Sequence, residues 1–294
     1  MKWPTATQAA IAAGTSVVVA LTLRRLRPTR AGDIVIPAAT EFALVAALYS
    51  VWRMAKSLPL TQADGAIERA YDIVAVQEWL HLPSELSLQA FALRHDWIGW
   101  SSTAYYGAAH VPGIIVFLVW LFAFHRDVYP RWRNALAILT GFCLFIRFVK
   151  VAPPRFLTEL GYVDLSDVYG MSVYGPVGTG VSAQFAAMPS LHVGWAAVVA
   201  FGMLAATTRW WRWIGMAHLV LTLFVVAATG HHWWLDGIVA LALLWIALLL
   251  DDLGRRAIGA WRSVGTPVDP GVERVDERSI AAAADAATSD TLSG

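Results

Sequence analysis

Residues 190–251 read SLHVGWAAVVAFGMLAATTRWWRWIGMAHLVLTLFVVAATGHHWWLDGIVALALLWIALLLD. Three apolar runs, 190–207, 213–229 and 234–251, are broken by a basic link carrying Arg209 and Arg212 and by the cluster Gly230-His231-His232. Each run is close to the length, roughly 17–25 residues, that a helix needs to cross hydrocarbon. In hydrocarbon every backbone polar group must be paired within its own segment, so such runs specify helices rather than open sheet. The same grammar recurs upstream at 7–23, 35–55, 105–124 and 134–151. The first of these is short and rich in small residues, and Arg24, Arg25 and Arg27 follow it. A signal peptide places its charges before the apolar run, so this one reads as a span. The expected fold is therefore all-α: a polytopic membrane bundle of six to seven transmembrane helices.

Composition supports that reading. Of 294 residues, 57% are hydrophobic and 15% charged, with a mean hydropathy of +0.55. A soluble domain is about 45–50% apolar and about 25% charged. A net charge of +1 makes no case for nucleic acid as a partner. Cys143 is the only cysteine, which excludes an intrachain disulfide and a cysteine-based metal site. Many of the fifteen tryptophans flank apolar runs, as in aromatic belts, and Trp233 and Trp234 are read as belt residues.

Lys and Arg set the orientation. Arg24, Arg25, Arg27 and Arg30; Arg126, Arg131 and Arg133; Arg209 and Arg212; and Arg255, Arg256 and Arg262 all fall on one side of seven spans. By the positive-inside bias that side is cytoplasmic. The segments 56–104, 152–189 and 230–233 are then extracytoplasmic. Within the first, Ile67, Tyr71, Val74, Val76, Trp79 and Leu80, then Leu86, Leu88, Phe91 and Leu93, recur at helical spacing. They predict two short amphipathic helices on the membrane surface, shaping the entrance to a lipid site. Segment 152–189 is rich in Gly, Pro, Ser and Tyr and reads as an ordered loop or lid. Residues 1–262 form one membrane domain. Residues 263–294, with Pro267, Pro270 and many acids, read as a disordered cytoplasmic tail.

Three places break the apolar grammar, all on the outer side. Lys150-Val-Ala-Pro-Pro-Arg155 closes the fourth span with two cations, and Arg155 offers a planar fork suited to phosphate oxygens. Ala187-Met-Pro-Ser190-Leu-His192 opens the fifth. Ser190 suits a helix cap, the helix N-terminus favours an anion, and His192 in the first turn can give a proton to a leaving oxygen. Gly230-His231-His232-Trp-Trp-Leu-Asp236 opens the seventh. His232 and Asp236 are four apart, so a carboxylate can orient an imidazole nucleophile. His231 points elsewhere, as a structural group or a secondary phosphate contact. Together these make a phosphoryl-transfer set that needs no metal and no cofactor.

Pro189-Ser190-x-His192 followed by His232-x-x-x-Asp236 resembles the second and third motifs of the type 2 phosphatidic acid phosphatase superfamily. Val151-Ala-Pro-Pro-Arg155 and Gly230-His231-His232 resemble its inositol phosphorylceramide synthase-like branch. The resemblance implies that His232 attacks phosphorus to form a phosphohistidine, that Asp236 orients it, and that His192 protonates the leaving oxygen and then activates the acceptor. Arg155, Ser190 and Lys150, with His231, would hold phosphate oxygens. Two cations of typical phosphatases of the superfamily are absent, Phe148 and Val226 standing at their positions. That leans toward transfer to an acceptor alcohol over hydrolysis by water.

The expected donor is a glycerophospholipid, a polyprenyl phosphate or a phosphoinositol lipid. Ala, Arg and Trp usage fits a bacterium of high genomic GC content, hence an inner membrane with the site toward the periplasm or cell exterior. A metal-dependent hydrolase would use the same histidines as ligands, but adjacent histidines on a helix diverge by about 100°. A transporter with a proton relay would need ionisable groups at mid-membrane depth, whereas here they are read at one end of the spans only.

Overall fold

The computed structural model describes residues 4–25, 30–57, 64–171 and 184–264. Its elements are helices α1 (Ala6–Arg25), α2 (Arg30–Ser57), α3 (Ala66–Trp79), α4 (Glu85–Arg94), α5 (Asp96–Ala108), α6 (His110–Phe124) and α7 (Tyr129–Ile146). Two 3₁₀ turns, Pro154–Phe156 and Thr158–Leu160, lead to α8 (Leu165–Val168), α9 (Leu191–Ala206), α10 (Arg212–Ala228) and α11 (Trp234–Val264). Among the described residues the one β-type pairing is an isolated parallel bridge, Val151 to Ala186. The all-α expectation holds.

Three helical stretches are long and apolar enough to cross a membrane: Ala6–Arg25, Gly32–Met54 and Trp234–Trp261. A fourth crossing results if α5 and α6, which bend by 54° at Ala109, act as one span. Helices α9 and α10 are apolar and lie where spans were expected, but they have 16 and 17 residues. The stretch expected at 134–151 differs at both ends. Its helix starts at Tyr129, with a proline in the first turn, and stops at Ile146. Val151 has already left the helix to pair with the segment at Ala186. Large apolar side chains such as Val18, Val51, Val116 and Trp245 are exposed along the outer faces. In water such patches would be a liability, whereas in lipid they face their own kind, which fits an integral membrane protein.

Residues 1–249 form one compact unit. Its core gathers Leu121, Leu139, Val193, Val198 and Leu244 from α6, α7, α9 and α11. The α1–α2 hairpin packs on itself, tied by Tyr49 Oη to the Pro4 carbonyl at 3.1 Å and Ser50 Oγ to the Ala6 carbonyl at 2.8 Å. It reaches α7 through the ion pair of Glu41 and Arg133 at 2.5 Å. An apolar cavity of about 910 Å³ lies between the hairpin and α6, α7 and α9. The described residues 250–264 belong to a second unit, within which Arg255 and Asp251 form an ion pair at 2.6 Å. The expected tail lies, from residue 265 on, outside the described residues.

The amphipathic periodicity of 66–93 becomes α3 and α4 as expected. Residues 96–104 of the same extracytoplasmic segment, for which the periodicity predicts no element, are helical, as most of α5. Gln77 is a polar residue of α3. It is 5% exposed, because it points at the start of α11.

Candidate active site

The start of α11 organises the site. A helix N-terminus leaves its first N–H groups without intrahelical partners. Here three side chains take them. Asp236 Oδ2 accepts from the Trp233 N–H at 2.9 Å, Glu85 Oε1 from Trp234 at 3.0 Å, and Gln77 Oε1 from Leu235 at 2.9 Å. Gln77 Nε2 also donates to Glu85 Oε1 at 2.8 Å. Helices α3 and α4 are thus fastened onto the turn that carries Asp236, by residues about 150 positions away in sequence. Trp233 is not a belt residue: it is 1% exposed, and its indole N–H donates to the Ala152 carbonyl at 2.9 Å.

Burial pushes the Glu85 carboxyl pKa up, against hydrogen bonds from Trp234 and Gln77 that pull it down. Folded Glu85 therefore binds its proton more tightly than the unfolded chain does. Its contribution to stability falls as pH rises from the ordinary value of 4.5 through the raised folded value. Glu85→Gln keeps an acceptor at that position without the charge. It is expected to match wild-type stability below pH 4.5 and to exceed it above. Glu85→Ala strands the Trp234 N–H and the Gln77 amide and is expected to cost about 1–3 kcal/mol. Thermal unfolding in detergent at pH values on either side of the transition checks both; a Gln variant that melts lower at high pH would contradict the assignment.

His232 lies just before α11 rather than within it. Its Nδ1 is 2.8 Å from the Ala187 carbonyl and 3.3 Å from Asp236 Oδ2. The contact with Asp236 comes from the first turn and its approach, and not from a continuous helical face. Carbonyl and carboxylate oxygens can only accept, so Nδ1 carries the hydrogen in the neutral ring. The lone pair is then on Nε2, which lies 3.4 Å from His192 Nδ1. Asp236 is fully buried, and its Oδ1 has no hydrogen-bond partner among the described residues.

His192 sits in the first turn of α9. Ser190 caps that helix, accepting from the Val193 N–H at 3.3 Å. The Ser190 N–H donates to the Asp236 carbonyl at 3.2 Å, so the starts of α9 and α11 are joined backbone to backbone. Ser190 itself is 0% exposed.

The basic segment joins from a third direction. Val151 N–H donates to the Phe185 carbonyl at 2.8 Å, bringing Lys150 beside the approach to Ala187. Lys150 is buried, and its carbonyl accepts from Arg69 Nε of α3. The Arg155 N–H donates to the Gly230 carbonyl at 3.0 Å. Its guanidinium pairs with Asp164 at 3.0 Å and reaches the Gln184 carbonyl at 3.5 Å. His231 is 1% exposed; its Nε2 is 3.3 Å from Ser166 Oγ and its ring lies on Tyr106, 4.0 Å between centroids. Burial, then the nearby Arg155 and His232, hold His231 well below the usual histidine range, so it is neutral.

Gly230 permits this convergence. Its φ is +71°, and an added Cβ would sit 2.8 Å from Gln89 Nε2 and 3.2 Å from the Val163 carbonyl. Gln89 is itself committed, donating to Val163 and Ala228 carbonyls and accepting from the Val163 N–H. Gly230→Ala is expected to cost about 2–5 kcal/mol, from the left-handed backbone and a broken buried amide network. It should also displace His232. A melting temperature equal to wild type would refute this.

Several contributors were not singled out from the sequence: Gln77, Glu85, Gln89, Tyr106 and His110. His110 and His218 carried a usable signal, an ionisable side chain in or bordering an apolar run. His218 also corrects the view that ionisable groups occupy one end of the spans only. It lies within α10, where Tyr105 Oη meets its Nδ1 and Thr222 Oγ1 donates to its carbonyl at 2.7 Å.

A family model described as the PAP2 superfamily matches residues 71–250. Comparison with curated proteins and with solved structures gives no match.

Proposed function

Because the chain belongs to the PAP2 superfamily, and because an imidazole lone pair stands free of Asp236 beside a second imidazole, we propose that it is a membrane lipid phosphotransferase working through a phosphohistidine. The family suggests phosphatase or phosphotransferase chemistry on lipid phosphates. The single observation carrying the finer reading is the His232 geometry: Nδ1 held by Ala187 and Asp236, Nε2 facing His192.

In the first half-reaction the His232 Nε2 lone pair forms a bond to phosphorus and the bond to the leaving oxygen breaks. His192 gives that oxygen its proton. The His232 ring becomes cationic as the N–P bond forms, and the buried Asp236 carboxylate supports that charge. In the second half, an acceptor O–H gives its proton to His192, its oxygen bonds to phosphorus and the N–P bond breaks. Arg155, Lys150, Ser190 and His231 are the candidate holders of the phosphate oxygens.

Seven crossings with the site on the extracytoplasmic face follow from the Lys and Arg distribution. A bacterial inner membrane, with the site toward the periplasm or cell exterior, is the corresponding location. Water as acceptor would make the same centre a phosphatase. Phe148 and Val226, standing where typical phosphatases carry cations, favour an alcohol. Purified protein should be offered labelled phosphatidic acid, a polyprenyl phosphate and phosphatidylinositol, each with and without an acceptor alcohol and in EDTA. Label moving to the alcohol supports transfer. Label released only as the free phosphate overturns transfer in favour of hydrolysis. Loss of turnover in EDTA would overturn the metal-free mechanism.

A further inference from the structure

The elbow between α5 and α6 puts two aromatic side chains against His192. Helices α5 and α6 bend by 54° at Ala109. Tyr106, one turn before the bend, lays its ring at 4.3 Å and 36° on the His192 ring. The same Tyr106 ring lies at 4.0 Å and 30° on His231, so it is wedged between the two imidazoles. His110, just after the bend, meets His192 at 4.7 Å and 80°, edge to face. Tyr106 and His110 are 4% and 5% exposed. His110 is anchored in turn, its Nε2 lying 3.3 Å from Thr222 Oγ1 of α10.

His192 is partly exposed, and its Nδ1 lies 3.4 Å from His232 Nε2. An imidazole can rotate about its side-chain bonds, and only one orientation turns Nδ1 toward His232. The two rings from the elbow restrict that rotation from a face and from an edge. A tyrosine face also favours the protonated imidazole, because the ring quadrupole attracts a cation. We propose that Tyr106 and His110 are positioning residues for His192, holding it in orientation and favouring the protonated state in which it donates to the leaving oxygen. This rests on the reading of His192 as the proton donor. The titratable groups facing His192 include His232 before α11, with Asp236 behind it, His110 of α6 and Tyr106 of α5; His231 lies across Tyr106.

Two measurements test this. In the first, wild type and variants are given dodecyl phosphate, whose alkoxide needs a proton to leave, and 4-nitrophenyl phosphate, whose phenolate does not. Wild-type turnover lost in His232→Ala reports on the phosphohistidine reading by itself. Tyr106→Leu and His110→Asn are expected to slow dodecyl phosphate at least about tenfold and nitrophenyl phosphate less than about threefold, since general acid catalysis contributes about 10²–10⁴-fold. Tyr106→Phe, which keeps the ring, should stay near wild type on both. Equal losses on both substrates would mean a merely structural role and overturn the proposal.

The second measurement needs no turnover. The rate at which diethyl pyrocarbonate modifies His192, followed by mass spectrometry across pH, reports the neutral fraction of that ring. Tyr106→Leu should lower the midpoint by about half a pH unit, the size of a partly exposed cation–π contact. Tyr106→Phe should leave it in place. An unchanged midpoint and rate in Tyr106→Leu would overturn the proposal even if wild type turned over neither phosphate.

Discussion

His232→Ala is expected to lower turnover by about 10³–10⁶-fold, the range seen when the nucleophile of a covalent mechanism is removed. The argument rests on which nitrogen is free. Ala187 and Asp236 both accept from Nδ1, so Nε2 is the only atom of this ring able to attack phosphorus. Removing the ring removes the bond-forming atom, and no neighbour replaces it: His192 approaches with Nδ1 from 3.4 Å and is placed to pass a proton. The variant must be shown to be folded, because His232 also satisfies the Ala187 carbonyl. His232→Asn supplies a donor near the Nδ1 position and should melt closer to wild type than His232→Ala while remaining inactive. Rapid quenching of the wild type with a labelled lipid phosphate should trap an acid-labile, base-stable phosphoenzyme. Neither variant should form it. Wild-type rates in His232→Ala would remove His232 from the nucleophile's role.

The residues of this centre that could be read from the sequence are those close together in it. Ser190 and His192 share one helix start, and His232 and Asp236 span four positions, so local geometry forces each pair together. Helices α3 and α4 were legible as amphipathic periods, from Ile67, Tyr71 and Val74 in the first and Leu86, Leu88 and Phe91 in the second. Their use was not legible. Gln77 and Glu85 read as polar residues turned to water until the fold brings them to the first N–H groups of α11. Nothing local tells an exposed glutamine from one that caps a distant helix. Trp233 misleads for the converse reason: tryptophan at the end of an apolar run has the composition of a belt, yet its N–H is taken by Ala152. The elbow at Ala109 did leave a mark, since Gly107 lies two residues before it and Pro112 in the first turn of α6 lacks the N–H that a continuous helix would need, but an unbroken apolar run over 105–124 reads as one span. Its consequence, Tyr106 and His110 on either side of the bend, could be seen only in three dimensions.

Asp236 separates orientation from charge, and two substitutions at this position should differ by more than an order of magnitude. One oxygen, Oδ2, accepts from both the Trp233 N–H and His232 Nδ1. The amide oxygen of Asp236→Asn can make both contacts, with the NH₂ falling where Oδ1 has no partner among the described residues. His232 would keep its orientation and its Nδ1–H tautomer, the more so because Ala187 holds the same hydrogen at 2.8 Å. What the asparagine loses is the negative charge facing a ring that, on the proposed phosphohistidine mechanism, turns cationic as the N–P bond forms. A charge-assisted contact is worth roughly 1.5–3 kcal/mol, so Asp236→Asn is expected to slow phosphoenzyme formation about 10–100-fold. Asp236→Ala loses the charge, the hold on Nδ1 and the cap on Trp233, and is expected to slow it by about 10³-fold or more and to lower the melting temperature. Triads whose histidine depends on the carboxylate alone for its tautomer lose about 10⁴-fold on the Asn change. A loss of that size here would mean that Ala187 does not hold the ring in solution. Equal rates in the Asn and Ala variants would mean that Asp236 acts by charge alone. The second carbonyl contact is what makes the two outcomes distinguishable, because it leaves His232 correctly turned when the charge behind it is gone.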